Sequence, residues 1–519
     1  MNSEIKDENS NKEKNPEIMS LTPKDPSIYT TRSEPITVGQ QRQLFLDDAC
    51  IEATHGLTRS LHQPKKCGPV LRPDSEAGQI SLQCRSVPQW NSEKNLWEWW
   101  YWGSWACEPY GKYHSTAVSL THYATSEDGI HWEKPDLGLY EWKGSKDNNV
   151  AIDPDEGHRS LYHIIRDEDE PDAGRRYKGL FGHHDRKLMV SPDGFEWSPV
   201  EVANIPSSDE SHFFFDETTG NYVALVKRGT VWGRSVFLET SKDFIEWKNH
   251  GVVMHADQTD WDNRSRRIRQ VVEDERYLSP PLVDEENYIA ETYQMAAMPY
   301  EGIYIGFVGI FNPAGAIPPP HMNHTGINQV ELTMSRNLRN WRRLCDHAVF
   351  IGVEPWDGEA YDTQQALLCG RPIIRDDEIW IYYNACRFRG HKELYPEKFW
   401  PYFDSTTALS LAKLKRDRFV SLDAADKGEL LTRRLFLTGT EIFVNADAAS
   451  GTLKAELLDA ETMQPLTGRS LADCAPVNEN GLRCRLAWSS AASESLSEQT
   501  PVRLRFELNN ASLFSFWAE

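Results

Sequence analysis

The stretch Ser126-Glu-Asp-Gly-Ile-His-Trp132 contains a pattern that returns three more times along the chain. In every copy an Asp or Asn follows the serine by two positions, and a tryptophan follows it by six. The other copies are Ser191-Pro-Asp-Gly-Phe-Glu-Trp197, Ser241-Lys-Asp-Phe-Ile-Glu-Trp247 and Ser335-Arg-Asn-Leu-Arg-Asn-Trp341. A degenerate fifth copy, Leu414-Lys-Arg-Asp-Arg-Phe419, carries phenylalanine in place of tryptophan. A repeat of this kind indicates an array of similar structural units.

Each copy has the chemistry of a turn followed by a strand. The Asp or Asn side chain can bond its own backbone, and glycine can adopt a positive φ. The tryptophan on the next strand would then fill the gap between neighbouring sheets. Runs such as Tyr222-Val-Ala-Leu-Val-Lys227 and Glu378-Ile-Trp-Ile-Tyr-Tyr383 are typical of half-buried strands. We therefore predict an all-β protein whose main part is a five-bladed β-propeller.

Composition divides the chain into three regions. Residues 1–38 are polar and punctuated by proline, which predicts a disordered N-terminal tail. Residues 39–423 form the predicted propeller, with a partly helical insertion at about 255–282 that is rich in arginine and acidic residues. Residues 424–519 alternate in polarity between turn signals, and they predict a C-terminal antiparallel β-sandwich with an accessory role.

Charge and cysteine content limit the partners and the compartment. A net charge of −22 argues against nucleic-acid binding, because the chain has no basic surplus to release counterions. No apolar run approaches the length of a membrane span, so no membrane partner is expected. The nine cysteines occur singly, without a C-x-x-C pair, and the first residues lack the apolar stretch of a secretory signal. These features predict a cytoplasmic protein with reduced thiols.

Acidic residues near the predicted channel are the candidates for chemistry. The first strand of each propeller blade lines the channel, and five carboxylates stand just before or within such strands: Glu76, Asp167, Asp209, Glu291 and Asp362. Glu291 and Asp362 lie in runs that are otherwise apolar, aromatic or amide. An ionised carboxylate there costs several kcal/mol unless it is paired or used. The alternative is that an arginine pairs with each of them and joins two blades.

Two carboxylates that face one channel suit the cleavage of a glycosidic bond. One must be protonated to donate to the leaving oxygen, and the other must be ionised to activate water or attack carbon. Burial beside a like charge separates the two pKa values and so assigns the roles. Neutral and aromatic side chains near the same strands would bind the sugar.

Other chemistries are disfavoured by the sequence. The pairs His183-His184 and His321…His324 lack further ligands at metal-binding spacing, and there is no nucleophile elbow, P-loop or dinucleotide fingerprint. We therefore predict neither a metal centre nor a cofactor. Arginines that could grip a carboxylate or sugar hydroxyls are Arg85, Arg228, Arg234 and Arg387.

Several longer phrases resemble a bacterial group of glycosyl-hydrolase-like proteins. They include Leu44-Phe-Leu-Asp-Asp48, Tyr277-Leu-Ser-Pro-Pro281, Tyr361-Asp-Thr-Gln-Gln365 and Ala511-Ser-Leu-Phe-Ser-Phe516. That group is similar to the five-bladed propeller superfamily of arabinanases, invertases and levansucrases, some of which carry a C-terminal β-sandwich. The resemblance implies an Asp, a second Asp and a Glu from successive blades as base or nucleophile, transition-state stabiliser and acid. The invertase phrase W-M-N-D-P-N-G is absent, which disfavours fructan cleavage.

The leading hypothesis is a glycoside hydrolase that acts on a carbohydrate in the central pocket. Glu291 would be the general acid, and Asp362 or Asp209 the ionised partner. The predicted substrate-binding residues are Glu76, Trp102, His163, Asp167, His212, Arg234, Tyr293, Tyr361 and Gln364. The alternatives are a non-catalytic glycan-binding propeller, a phosphate-dependent glycoside phosphorylase with arginine or histidine beside the carboxylates, and a purely structural protein.

Overall fold

The computed structural model describes residues 34–105, 118–154, 161–284, 287–319, 323–489 and 500–519. Within these ranges the regular structure is almost entirely β, which confirms the predicted class. The predicted tail lies largely outside the described residues. Its last residues, however, form β1 (Ile36–Val38), which pairs in parallel with a strand of the C-terminal region.

Five antiparallel sheets follow one another along the chain. Sheet 1 contains β6 (Gln79–Gln83), β7 (Gln89–Asn91), β8 (Leu96–Trp105) and β9 (Val118–Ser126). Sheet 2 contains β10 (Leu161–Arg166), β11 (Tyr177–Phe181), β12 (Asp185–Ser191), β13 (Ser198–Pro199) and β14 (Ile205–Pro206). Sheet 3 contains β15 (Ser211–Asp216), β16 (Asn221–Thr230), β17 (Gly233–Ser241) and β18 (Trp247–His255).

The last two of these sheets complete the series. Sheet 4 contains β19 (Glu291–Tyr300), β20 (Ile303–Ile317), β21 (Asn323–Ser335), β22 (Trp341–Arg343) and β23 (Val349–Ile351). Sheet 5 contains β24 (Gln365–Leu368), β25 (Ile373–Arg375), β26 (Glu378–Cys386) and β27 (Thr407–Lys415), and β5 (Lys65–Leu71) pairs with β27. An early strand thus completes the fifth sheet. Single parallel residue pairs link sheet 4 to sheet 5 and sheet 5 to sheet 1.

A sixth, ten-stranded sheet joins both ends of the described chain, and we call it the terminal sheet. Its early strands are β1, β2 (Gln43–Leu44), β3 (Ile51–His55) and β4 (Thr58–Leu61). Its late strands are β28 (Val420–Thr432), β29 (Leu435–Leu437), β30 (Ile442–Asp447), β31 (Thr452–Asp459), β32 (Asn480–Leu486) and β33 (Val502–Ala518). Residues 36–61, which the sequence analysis divided between the tail and the propeller, therefore belong with the C-terminal strands.

The repeated phrase forms the same turn in sheet 1 and in its later copies. The Ser126 hydroxyl donates to Asp128 at 3.0 Å, and Asp128 accepts the backbone N–H groups of Ile130 and His131 at 2.8 Å. Trp132 closes the turn by donating its indole N–H to the carbonyl of Gly129 at 3.2 Å. Equivalent serine-to-Asp or serine-to-Asn bonds recur in the other three copies. The predicted turn chemistry is confirmed.

Each repeat tryptophan packs into the gap between its own sheet and the preceding one. Trp197 lies with residues of sheets 1 and 2, Trp247 with sheets 2 and 3, and Trp341 with sheets 3 and 4. Trp132 of sheet 1 packs against the cluster shared with sheet 5. A fifth apolar cluster joins sheets 4 and 5. Every sheet therefore has an apolar interface with the next, and the fifth has one with the first.

The repeat turn gives a stability prediction at Gly194, whose φ is +84°. A Cβ there would lie 2.4 Å from Cζ2 of Trp100 in sheet 1. We expect Gly194→Ala to lower the free energy of unfolding by about 1–3 kcal/mol through overlap, and by about 1 kcal/mol more through the left-handed backbone. Gly220→Ala is the matched control, because its φ is +63° but no atom lies within 4 Å of the added Cβ. Equal losses in urea unfolding would contradict this account.

The degenerate fifth copy anchors the terminal sheet. Asp417 is fully buried and accepts hydrogen bonds from Arg42 at 2.8 Å, from the Tyr300 hydroxyl at 2.5 Å and from the Ser515 hydroxyl at 2.7 Å. These donors come from the N-terminal segment, sheet 4 and β33. The turn that opens an outer strand in the other copies therefore joins two parts of the molecule here.

The segment predicted as an insertion contains the helix α1 (Gln258–Glu273). Asp257 caps it, and Asp260 bonds back to the Asp257 N–H at 3.0 Å, which forms a capping box. Ile268 and Val271 pack with Ala314 and Ile327 of sheet 4. Short 3₁₀ turns occupy Ala173–Arg175, Cys345–His347, Lys392–Leu394 and Glu397–Asp404. No described helix is long and apolar enough to cross a lipid bilayer.

Candidate active site

A cleft of about 430 Å³ lies where β10, β15, β19 and β24 begin, beside the end of β6. Sheets 1, 2, 4 and 5 and the loop that leads into sheet 3 contribute side chains to it. Its lining includes Gln83, Arg85, Trp102, Tyr162, His183, Asp209, Glu210, Tyr293, His324, Gln365 and Arg389. Of the predicted site residues, Trp102, Asp209 and Tyr293 line this cleft. Its place at the start of the first strands is the region that the sequence analysis had indicated.

Hydrogen bonds between the first strands lie among the residues next to the cleft. His163 Nδ1 contacts the Arg85 carbonyl at 2.6 Å, and His163 Nε2 contacts the Ser211 hydroxyl at 2.7 Å. Gln294 donates to the Leu368 carbonyl at 3.0 Å, and Asn384 donates to the Cys84 carbonyl at 2.8 Å. These bonds link sheets 1 to 2, 2 to 3, 4 to 5 and 5 to 1.

His163 and His212 were predicted to bind substrate, but the structure buries both. Each has 1% of its surface exposed, so neither can reach a ligand in the cleft. Burial lowers the pKa of His212 to about 3, and it holds the pKa of His163 well below its usual value. A neutral His163 donates from Nδ1 to the Arg85 carbonyl and accepts from Ser211 at Nε2. Its role is to connect strands.

Arg186 positions the loop that carries the acidic residues. Its guanidinium is fully buried and donates to the carbonyls of Gly182, Ser208 and Asp209 at 2.7, 2.6 and 3.1 Å. The ring of Tyr162 lies 4.1 Å from it, a cation–π contact. The two loops on either side of the cleft are thereby held to one cation.

Asp209 and Glu210 project from this loop, each beside its own cation. Asp209 forms an ion pair with Lys227, whose Nζ lies 2.6 Å from a carboxylate oxygen, and Glu210 accepts from Arg85 at 2.6 Å. Burial raises the pKa of the Asp209 carboxyl, but attraction to Lys227 outweighs that effect, and the pKa falls to about 2. Asp209 is therefore ionised throughout the physiological range. Glu210 is only 2% exposed, and its ion pair raises the pKa of Arg85.

Glu291 is paired with Arg234, which is the alternative that the sequence analysis left open. The Arg234 guanidinium and its backbone N–H both donate to the Glu291 carboxylate. About a fifth of the Glu291 side chain (21%) remains exposed. Burial lowers the pKa of His324, and the charges of Arg234, Arg389 and Glu291 also act on it. Glu291 does not itself line the cleft, but its partner Arg234 lies 5.6 Å from the ring centroid of Tyr293, which does.

Tyr293 lies between these charged groups. Lys227 is 4.1 Å from its ring centroid, Arg389 is 5.5 Å away and Arg234 is 5.6 Å away. Lys227 connects the ring to Asp209, and Arg234 connects it to Glu291. Trp102 lies in another part of the cleft, edge-on to Tyr162 at 4.4 Å, with Arg85 5.3 Å from its ring.

The structure does not bring Asp362 or Tyr361 into the cleft. Asp362 forms an ion pair with Lys66 of β5 at 2.8 Å and accepts a hydrogen bond from the Tyr383 hydroxyl at 3.0 Å. The Tyr361 hydroxyl bonds to Ser405 at 2.7 Å, and Arg387 stacks 3.8 Å from the ring. Both residues pack within sheet 5 and its loops. Asp362 stands among uncharged residues in the sequence because its ion-pair partner, Lys66, lies almost 300 positions earlier in the chain.

Gln364, Asp167 and Glu76 also lie outside the cleft lining. Gln364 is fully buried, accepts from the Arg389 N–H at 2.6 Å and donates to the Ser279 carbonyl at 3.2 Å. Asp167 accepts from Lys178 at 2.8 Å and from the Tyr222 hydroxyl at 2.7 Å. Glu76 is exposed on the turn before β6. Of these three residues as described, Gln364 bonds to a cleft residue, because its side chain accepts from the Arg389 backbone N–H.

Sequence reasoning missed Tyr162, Glu210 and Arg389 in the cleft, and it missed Lys227 beside it. One usable signal was present at Lys227. It ends an apolar run as a charged residue, and the structure buries it to 3% exposure. The same argument that selected Glu291 would have selected it.

Three buried histidines should make the protein less stable in mild acid. Burial lowers the pKa of His122 to about 4 and that of His212 to about 3, and His163 is shifted the same way. The unfolded chain therefore binds more protons than the native one between those values and 6.5, so stability falls as the pH drops below 6.5. Each histidine removes about 1.4 kcal/mol per pH unit.

Urea unfolding at pH 7, 6 and 5 measures this loss. Asp209 and Asp260 do not affect the measurement between pH 7 and pH 5. Their pKa values are lowered to about 2, so the stability that their ionised forms provide is lost only below the ordinary pKa of 3.8. A free energy of unfolding that stays level from pH 7 to pH 5 would show that the histidines are not buried as described.

One described trio has metal-compatible spacing, away from the cleft. Asp257, Asp260 and His347 each offer a ligand atom within 4.8 Å of the others. Asp260 is already neutralised by Arg343 at 3.1 Å and bonded to His347 at 3.0 Å. Arg343 therefore already balances the charge of Asp260 within this trio.

Comparisons with known proteins gave structural neighbours only. No family model matches the chain, and no curated protein matches it. The solved structures that it resembles include a glycosyl hydrolase from Bacteroides ovatus, with 12% identity, coverage of 73% of this chain and 98% of that one, and a TM-score of 0.41. A fructofuranosidase from Schwanniomyces occidentalis, complexed with fructosylnystose, has 10% identity, 88% and 98% coverage, and a TM-score of 0.38.

A third neighbour comes from the GH130 family of mannoside phosphorylases, described as containing glycoside hydrolases that target β-1,2 mannosidic linkages in Candida mannan. It has 13% identity, 68% and 94% coverage, and a TM-score of 0.37. These neighbours are carbohydrate-active proteins, as the resemblance in the sequence had suggested. All three TM-scores lie below 0.5.

Proposed function

We propose that the five sheets close into a five-bladed propeller, that the terminal sheet folds as a β-sandwich, and that the cleft cleaves a glycosidic bond. The observation that carries the catalytic proposal is Asp209, which Lys227 holds ionised in a cleft lined by aromatic and amide side chains. An ionised carboxylate beside a sugar-sized cavity is one half of the pair that glycoside cleavage requires.

The cleft residues suggest distinct roles. Trp102 and Tyr293 offer ring faces to the C–H face of a sugar, while Gln83 and Gln365 offer amides to its hydroxyls. Asp209 activates water or stabilises positive charge at the anomeric carbon. Glu291 is the second carboxylate, on the other side of Tyr293, and it donates the proton once substrate displaces Arg234 from it. Glu210 fixes Arg85 and has no direct role in the reaction.

Turnover of a broad panel of aryl glycosides and natural oligosaccharides in phosphate-free buffer tests the proposal. We expect release of reducing ends from at least one class of substrate, and its loss in Asp209→Asn. Binding of oligosaccharides by calorimetry, without turnover of any of them, would establish the non-catalytic alternative.

A phosphorylase is the second candidate, and the cations favour it. Arg85 and Arg389 line the cleft, and Lys227 and Arg234 lie beside it. Such a set could hold inorganic phosphate as the attacking group in place of water. Adding inorganic phosphate separates the two: a phosphorylase releases a sugar 1-phosphate and is inactive without phosphate, whereas a hydrolase is indifferent to it.

A further inference from the structure

The chain is acidic, with a net charge of −22. The cations near Tyr293 nevertheless differ in whether a carboxylate pairs with them. Arg85 is neutralised by Glu210, Lys227 by Asp209 and Arg234 by Glu291. Among the residues that the structure describes, no carboxylate lies in ion-pair contact with Arg389. Within the described ranges, Arg389 is therefore a cleft arginine that forms no ion pair with a carboxylate.

Neutral groups hold the Arg389 side chain in place. Its Nε donates to the His324 carbonyl at 3.3 Å, and Nη1 donates to the Gln365 side chain at 2.9 Å. The guanidinium carbon lies 4.2 Å from the Phe311 ring centroid. These contacts fix the plane of the guanidinium without cancelling its charge. In the described part of the chain no acceptor is bonded to Nη2, so that edge is available to a ligand.

The backbone of Arg389 is equally well supported. Its N–H donates to the buried Gln364 side chain at 2.6 Å, and the same oxygen accepts from the Tyr395 hydroxyl at 2.7 Å. Gln364 also donates to the Ser279 carbonyl. A charged group carried on such a support is preorganised, so a ligand need not pay to order it.

We propose that Arg389 binds a carboxylate carried by the sugar, so that the substrate is a uronic-acid-containing carbohydrate. This rests on the proposed function in so far as the occupant of the cleft is a carbohydrate. A guanidinium presents two parallel N–H donors that match the two oxygens of a carboxylate. The charge that the protein leaves uncompensated would then be neutralised by the ligand.

The position of Arg389 indicates that it binds an anionic substituent of the sugar rather than a group that takes part in the reaction. Arg389 and Arg234 lie near both Tyr293 and Phe311, at 4.2 and 5.8 Å from the Phe311 centroid. Lys227, which pairs with Asp209, contacts the Tyr293 ring at 4.1 Å. An anion on Arg389 is therefore held on the Phe311 side of Tyr293, apart from the carboxylate that acts on the anomeric carbon.

Calorimetry with matched ligands tests the assignment. The probes are uronic-acid oligosaccharides of several linkages, their carboxyl-reduced counterparts, and inorganic phosphate alone. We expect the wild type to bind at least one acidic oligosaccharide about tenfold or more tightly than its reduced form. Arg389→Gln should abolish that preference, and Arg389→Lys should keep part of it, because a point charge remains without the fork. Arg371→Gln is the control, since Arg371 pairs with Glu217 outside this cleft.

Four results would overturn the assignment. The first three are equal affinity for the acidic and reduced forms, no binding of any acidic oligosaccharide, and a preference that survives Arg389→Gln in a protein with unchanged thermal unfolding. The fourth is that Arg389→Gln weakens the binding of phosphate but not of acidic oligosaccharides, which would favour the phosphorylase. Selective binding of acidic sugars without cleavage would keep the Arg389 assignment while the proposed hydrolysis fails. Cleavage of neutral glycosides only would support the proposed hydrolysis and contradict the Arg389 assignment.

Discussion

Asp209→Asn is expected to lower kcat at least a hundredfold on whichever glycoside the wild type cleaves. The amide keeps the shape of the side chain but removes the negative charge that activates water or stabilises the transition state, a contribution of roughly 10²-fold or more. The variant should be less stable, because the buried Lys227 loses its partner, but the loop should keep its place, because Arg186 holds it through backbone carbonyls rather than through this carboxylate. Steady-state kinetics and thermal unfolding of the same preparation measure both effects.

Two carboxylate-to-amide variants serve as matched controls. Glu76→Gln changes an exposed turn outside the cleft and should leave kcat unchanged. Asp362→Asn removes one of the two carboxylates that pair with Lys66, so we expect lower stability but kcat within a few-fold of the wild type. A hundredfold loss in Asp362→Asn without loss of stability would return catalysis to the site that the sequence first suggested. Near-normal activity of Asp209→Asn would remove Asp209 from the mechanism.

Glu331→Gln should cause the largest loss of stability, about 3–5 kcal/mol. Glu331 is fully buried in β21, forms an ion pair with Arg267 of α1 at 2.5 Å and accepts a hydrogen bond from Arg343 of β22. Removing its charge leaves two buried guanidinium groups with only Asp260 nearby to balance them. Because Arg267 belongs to α1, the helix should also separate from sheet 4 before the rest unfolds.

The denaturant midpoint measures the global loss, and amide hydrogen exchange measures the local one at α1. Glu461→Gln is the matched control, since Glu461 pairs with Arg434 at the surface at 3.1 Å and is 64% exposed. That pair should contribute less than about 1 kcal/mol. Similar losses in the two variants would mean that the buried network is not what fastens the helix.

Local chemistry explains what the sequence could predict. The Ser-x-Asp turn is complete within seven residues, so its hydrogen bonds and the inward tryptophan followed from spacing alone. The helix in the insertion was predictable because its polar residues fit a capped, arginine-rich segment. The first strands of the sheets were also in the right place, and Asp209, Trp102 and Tyr293 line the cleft as expected.

Contacts between distant segments explain what the sequence could not predict. Whether Asp362 faces a cavity or Lys66 depends on β5 joining β27 across more than 300 residues. Likewise, β1 to β4 are too short and too ordinary in composition to reveal their partners at the other end of the chain. His163 and His212 stand in suitable strands, but alternation alone does not tell a channel-facing residue from one sealed between strands.

The pairing of the terminal sheet bears on how the polypeptide folds as it leaves the ribosome. β33 is the last described strand, yet it pairs directly with β2, β28, β29, β30 and β31. The earliest strands must therefore wait, unpaired and with apolar side chains uncovered, until nearly all the chain has been translated. Such late closure slows maturation and invites aggregation, so nascent chains should depend on chaperones more than the finished protein's stability would suggest.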